Sequence, residues 1–202
     1  MTNSHWLLQV LAIGLACGSC APFPMRYYYP EAQGGKVIYD QCPINGHLPD
    51  EILLTEYGVR IYTRLGGHNE NRYLEIRFEI PEKGKTVTLV ETSAKLLSNE
   101  TDATTHIEFH QIYLWPFGSV LHSPDPTQIK TLDIHEPMMG KTKDQGGIDW
   151  PAAYWLASYL ELPDSDTFQI VLPQFAANEK LITLPSIQFH RKWTVGFAVI
   201  NC

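Results

Sequence analysis

Through most of the chain, apolar side chains return at every second position. The clearest stretch is Arg72–Ile80, where Leu74, Ile76, Phe78 and Ile80 alternate with Tyr73, Glu75, Arg77 and Glu79. A helix would scatter those four apolar residues around its circumference, so the period of two predicts a strand with one buried and one wet face. Gly58–Leu65 reads the same way, with Val59, Ile61 and Leu65 opposite Arg60, Tyr62 and Arg64. Lys36–Cys42, Glu51–Glu56, Thr86–Glu91, Thr105–Leu114, Thr167–Pro173, Lys180–Phe189 and Trp193–Ile200 are further strand segments set off by turn residues. Ser93–Ser98 reads as a short strand or as irregular chain. Ala152–Leu160 has the propensity of a helix, but Tyr154, Trp155 and Tyr159 suit a strand, and the strand is preferred because its surroundings are β.

The loops organise these segments. Pro81–Gly84 has the length of a hairpin connection, so Arg72–Ile80 and Thr86–Glu91 are expected to pair. A second hairpin-like unit is expected around Ala176-Ala177-Asn178, and a turn at Tyr57-Gly58. From Trp115 to Pro151 the pattern fades among prolines and glycines, and Gln128–Ile134 is the one regular piece expected there. A long irregular excursion in a compact domain is usually functional or mobile, which makes this region the expected contact surface. Roughly eight to ten short strands at regular spacing predict an all-β fold. The expected architecture is an antiparallel β-sandwich, immunoglobulin-like or jelly-roll-like, in a single domain over 36–202.

The N-terminus breaks the alternation. Trp6–Cys20, WLLQVLAIGLACGSC, is an apolar run too short to span a bilayer, which takes about 20 apolar residues. Its length and its small closing residues suit the hydrophobic region of an export signal. Gly14-Leu15-Ala16-Cys17 and Cys17-Gly18-Ser19-Cys20 each place a small residue before a cysteine. In this the segment resembles the signal of bacterial lipoproteins. Neither cysteine has Leu three positions before it, and MTNSHW lacks Lys and Arg. The resemblance implies a signal over 1–19, lipid on Cys20 with Cys17 as the alternative, and a place in the bacterial cell envelope. Ala21 after the cysteine (or Gly18 for the alternative) implies the outer membrane, facing the periplasm; plain secretion and an uncleaved anchor are the other readings. Residues 20–35, with Pro22, Pro24, Pro30, Gly34 and Gly35, read as a tether, within which Tyr27–Tyr29 could lie on the domain, add an edge strand or form an aromatic platform for a ligand.

Composition narrows the function classes. Hydrophobic residues make up 44% and aromatics 11%, enough for a sizeable core. The net charge is −7, and no Lys/Arg cluster supplies the electrostatic footprint of a nucleic-acid partner. The expected partners are therefore the membrane, through the lipid, and an envelope protein or glycan. With lipid on Cys20, Cys42 and Cys202 remain as an even pair, expected to form a disulfide in an oxidising compartment. Closing so long a loop stabilises by about 4–5 kcal/mol in the chain-entropy model.

Chemistry-bearing motifs are weak. His106, Glu108 and His110 share one face of a strand by the period of two and could ligate zinc. Alternate residues stand nearly 7 Å apart along a strand, so convergence on one ion needs a bulge. His122 and His135, with Met138 and Met139, offer ligands that suit copper. Met139-Gly140-Lys141-Thr142 imitates the end of a phosphate-binding loop, but the required first glycine is His135. No Gly-x-Ser-x-Gly elbow occurs. No cofactor is expected. The reading is a binding or structural module, with an exported enzyme, metal-assisted or not, or a carbohydrate-binding module on its five tryptophans and ten tyrosines as the rivals.

Overall fold

In a computed structural model of the chain, the described residues are 22–39, 48–68, 71–98, 103–115, 129–140, 142–143, 149–150 and 152–197. Among them there is no helix. The first strands are β1 (Pro22–Glu31), β2 (Lys36–Tyr39), β3 (Pro49–Glu56), β4 (Val59–His68), β5 (Asn71–Ile80) and β6 (Thr86–Leu89). Next come β7 (Ser93–Ser98), β8 (Thr104–Glu108), β9 (Gln111–Trp115), β10 (Lys130–Asp133), β11 (Met138–Met139) and β12 (Thr142–Lys143). The chain ends with β13 (Asp149–Trp150), β14 (Ala152–Leu160), β15 (Thr167–Val171), β16 (Phe175–Ala177), β17 (Lys180–Ile182) and β18 (Ile187–Phe197).

Seven strands in the order β10-β9-β14-β5-β4-β3-β2 form one antiparallel sheet. Its inner face carries the alternating residues read from the sequence. Leu54, Ile61, Phe78 and Tyr154 form one cross-strand row, and Ile52, Thr63, Ile76 and Leu156 form the next. The β3–β4 connection is the two-residue loop Tyr57-Gly58, with φ of 48° and 72°. Positive φ at both positions is the type I′ geometry whose twist matches paired strands.

Facing it is a five-stranded sheet, β1-β18-β15-β7-β8, and a four-stranded one, β11-β6-β16-β17. The order β17-β16-β6 repeats β18-β15-β7, so each strand of one continues a strand of the other. The interruptions fall at 90–92, 172–174 and 183–186, and Gln174 joins all three. Its carbonyl accepts from the Val90 and Glu91 amides at 2.9 and 3.2 Å. Its own amide donates to a Glu91 carboxylate oxygen at 3.3 Å, and its Nε2 to the Thr183 hydroxyl at 3.2 Å. The two layers enclose one core, in which Phe78 of the seven-stranded sheet meets Phe175 edge-on at 5.5 Å. The all-β sandwich is thus the fold of this chain. A two-stranded ladder, β12-β13, stands apart from both layers in its pairing.

Several local readings need correction. β5 and β6 do not pair: residues 81–85 carry the chain from one layer to the other. A five-residue link of hairpin length is also long enough to cross the roughly 10 Å between stacked sheets, and both flanking strands bury apolar residues either way. Thr105–Leu114 is two strands, because the chain changes sheet at Phe109-His110. Phe109 stays in the core and its amide donates to the Thr92 carbonyl at 2.9 Å. Bends of this kind make the corners where a strand leaves one sheet for another. Lys180–Phe189 and Trp193–Ile200 redistribute into β17 and an eleven-residue β18. Ser93–Ser98, left open between strand and irregular chain, is a strand, and Ala152–Leu160 is a strand, as preferred.

The expected tether is the largest departure. Pro22–Glu31 is a strand paired along its whole length with β18, from Pro22↔Phe197 to Glu31↔Gln188. The prolines are tolerated because β1 lies at a sheet edge, where an absent N–H leaves no inner ladder broken. Tyr28 is the anchor: it is buried, with its ring 5.2 Å from Phe168, which stacks on Phe189 at 5.4 Å. Of the roles open to Tyr27–Tyr29, the edge strand is the one the fold uses.

Candidate functional site

The residues weighed for metal chemistry are not brought together. Among the described residues, no group of three His, Cys, Asp or Glu side chains could hold an ion. His106 and Glu108 are exposed at the end of β8, and His110 is exposed past the bend that ends it. The bend that could have drawn the three together turns the chain into the other sheet instead. His135 is exposed in the turn after β10, where its amide donates to Asp133 Oδ1 at 2.9 Å. Met138 points into the core and Met139 out of it, so a two-residue strand holds the two sulfurs on opposite faces. Tyr154 fixes this strand from the opposite layer, its hydroxyl donating to the Met139 carbonyl and accepting from the Met139 amide, both at 2.9 Å. Cys17, Cys20, Cys42, His122 and Cys202 lie outside the described residues, as do all of 116–128 and most of 141–151.

The best-developed surface is the outer face of the seven-stranded sheet. By register, Tyr62, Arg77, Trp155 and Tyr113 form one row across β4, β5, β14 and β9. Arg77 is its centre. The guanidinium carbon lies 4.0 Å from the centroid of Tyr62 and 5.9 Å from that of Trp155. These are cation–π distances, and the interaction strengthens as water is excluded. Only 9% of Arg77 is exposed. Glu51 and Glu79 neutralise it at 3.6 and 3.7 Å, while Arg60 and Arg64 reach Glu79 and Glu75 at 3.8 and 3.0 Å. Glu51, Arg64 and Glu75 form the adjacent row, so charges alternate in sign across the strands.

Burial shapes the electrostatics of this face. It pushes the Glu51 carboxyl above its ordinary range, against the opposing pull of Arg77 and Arg64. The Tyr62 hydroxyl is raised by burial and then by the neighbouring Glu79 carboxylate. The Nε atoms of Arg77 and Arg64 are buried without a hydrogen-bond acceptor.

At the margins of the face the aromatic rings open to solvent. Tyr113 is 37% exposed and Tyr159 80%. Tyr159 pairs with Tyr73 across β14 and β5, and the Tyr73 ring in turn covers Gly66 of β4. A Cβ at position 66 would lie 2.1 Å from Tyr73 Cζ, so glycine there lets the ring lie flat on the strand. The arrangement can stack on flat apolar faces and offer hydrogen-bond donors and acceptors between them. Sequence reading marked Tyr62, Arg77, Tyr73 and Glu79 as the wet side of their strands but did not single out the face. The signal available was the recurrence of Tyr, Trp and Arg on the polar side of three strong strands. No family model matches the chain, and neither a curated protein nor a solved structure matches it.

Proposed function

We propose that the chain is an exported lipoprotein of a bacterial envelope, held at the outer membrane by lipid on Cys20 (or Cys17), with Cys42 and Cys202 disulfide-bonded. It acts as a binding module, and its ligand is an envelope glycan lying on the outer face of the seven-stranded sheet. The observation carrying this reading is the aromatic row Tyr62–Arg77–Trp155–Tyr113, flanked by the exposed ring of Tyr159. Sugar rings present apolar faces that stack on aromatic side chains and hydroxyls that pair with Arg and Glu. The partly exposed charges of Arg60, Arg64 and Glu75 beside the rings supply groups for such hydroxyls.

The test is co-sedimentation of the soluble domain with purified cell-wall sacculi. Tyr159 is largely exposed, so Tyr159→Ala should leave the fold intact and lower sacculus binding by about tenfold, the equivalent of roughly 1.4 kcal/mol. Retention of full binding by both Tyr159→Ala and Trp155→Ala would remove this face as the site.

A further inference from the structure

The core of the five-stranded sheet ends before its strands do. On the inner face of β18, Ile187 and Phe189 are fully buried and Arg191 is half-buried, but Trp193 is 61% exposed and Val195 56%. The partner residues on β1 change at the same level: Pro30 and Tyr28 are buried, while Arg26 and Pro24 are exposed. Arg72, lying 5.6 Å from the Tyr28 ring, closes the core at this level. Beyond it, residues 22–27 and 192–197 continue as a two-stranded ribbon on whose core-side face Pro24, Arg26, Trp193 and Val195 are exposed.

Three features indicate what this face meets. Pro24, Arg26, Trp193 and Val195 make it apolar with one cation, and the Arg26 guanidinium lies 4.8 Å from the Trp193 ring centroid. The ribbon segments PFPMRY and KWTVGF contain Arg26 and Lys192 and no acidic residue, in a chain of net charge −7. The ribbon also begins two residues after Cys20, so its first Cα lies within about 7 Å of the lipidated one. At about 3.3 Å per residue, the Pro24–Val195 row lies about 7 Å along the strand and the Arg26–Trp193 row about 13 Å.

We propose that the core-side face of the β1–β18 ribbon rests on the membrane that carries the protein's own lipid, with Trp193 and Val195 at the headgroup level and Arg26 against lipid phosphate. This rests on the lipoprotein reading and changes its geometry. No flexible tether of sixteen residues gives the domain reach; the anchor leads almost directly into a strand, and the sandwich is held against the bilayer in one orientation. Tryptophan is the residue most at home at that depth, and neighbouring cations favour anionic headgroups.

The experiment uses the lipidated full chain in vesicles of phosphatidylethanolamine and phosphatidylglycerol, with and without bromine on the acyl chains. Subtracting the Trp193→Phe spectrum isolates Trp193, which should lose at least half of its emission to brominated lipid. Mass analysis of the N-terminal peptide reports on the anchor separately. A lipidated N-terminus with Trp193 unquenched overturns the ribbon contact and leaves the lipoprotein reading standing. An unmodified N-terminus on soluble protein overturns both.

Discussion

The seven-stranded sheet and the layer facing it bury the same kind of side chain by different backbone routes. β4, β5 and β14 run nine or ten residues without a break, each alternating into the core and out to the charged face. Opposite them, three neighbouring strands all stop at one level and restart in a second sheet, with Gln174 bridging the gap. The unbroken layer can present a broad, ordered outer surface. The broken one can bend around the core, its polar backbone groups at the break being met by Gln174, Glu91 and Thr183 rather than by ladder partners. The first layer is thus suited to present a surface, and the second to adapt its shape to the core.

Its sharpest test is whether the break divides the protein energetically. Phe175 is the first residue after the break, fully buried and in edge contact with Phe78 of the other layer. Phe175→Ala should destabilise by about 3–5 kcal/mol while urea unfolding stays a single transition. A small loss with a separate early transition would show the four-stranded sheet to be an independent unit, and the two-layer description would fail.

How much of this was legible follows from the same contrast. Alternation survives intact in Arg72–Ile80 and Gly58–Leu65 because those strands are long, central and wet on one side, so pattern and burial coincide. In Ala152–Leu160 there was no such alternation and propensity pointed to a helix; its β surroundings argued for the strand, and pairing on both flanks decides. Partner choice was not legible. Pro81–Lys85 as a string of residues fits a hairpin and a crossover equally, and only the full set of partners for β5 and β6 separates them. The prolines of Pro22–Glu31 hid an edge strand for a related reason: proline forbids central pairing, and edge status belongs to the sheet, not to the segment. The outer face went unrecognised because Tyr62, Arg77, Trp155 and Tyr113 are spread over more than ninety positions and meet only through register.

A smaller effect separates the inner and outer sides of the unbroken layer. Thr63 is fully buried between Ile52 and Ile76 in its row, and its hydroxyl has no hydrogen-bond partner. An unpaired buried hydroxyl costs about 1–3 kcal/mol, and valine has nearly the same shape without that cost. Thr63→Val should therefore raise stability by about 1 kcal/mol in urea unfolding. A loss of stability instead would mean that the hydroxyl is bonded and that the inner face is less dry than its alternation implies.

The smallest expected effect concerns the outer side, where burial and ion pairing oppose each other at Glu51. Its carboxylate lies 3.6 Å from Arg77, an arrangement that by itself would lower the pKa. Desolvation is the larger influence, and the folded pKa is raised. A raised pKa fixes the sign: folding favours the protonated form, so the stability linked to Glu51 is fully present below the ordinary carboxylate value of about 4.3 and is lost as pH rises through the folded value. Glutamine keeps the shape and does not titrate. Glu51→Gln should gain on the wild type between about pH 4 and neutrality, with the difference flattening once Glu51 is fully ionised. If the variant instead loses ground to the wild type as pH rises, the Arg77 pairing outweighs burial. The face would then be held by its ion pairs, and it would soften in salt.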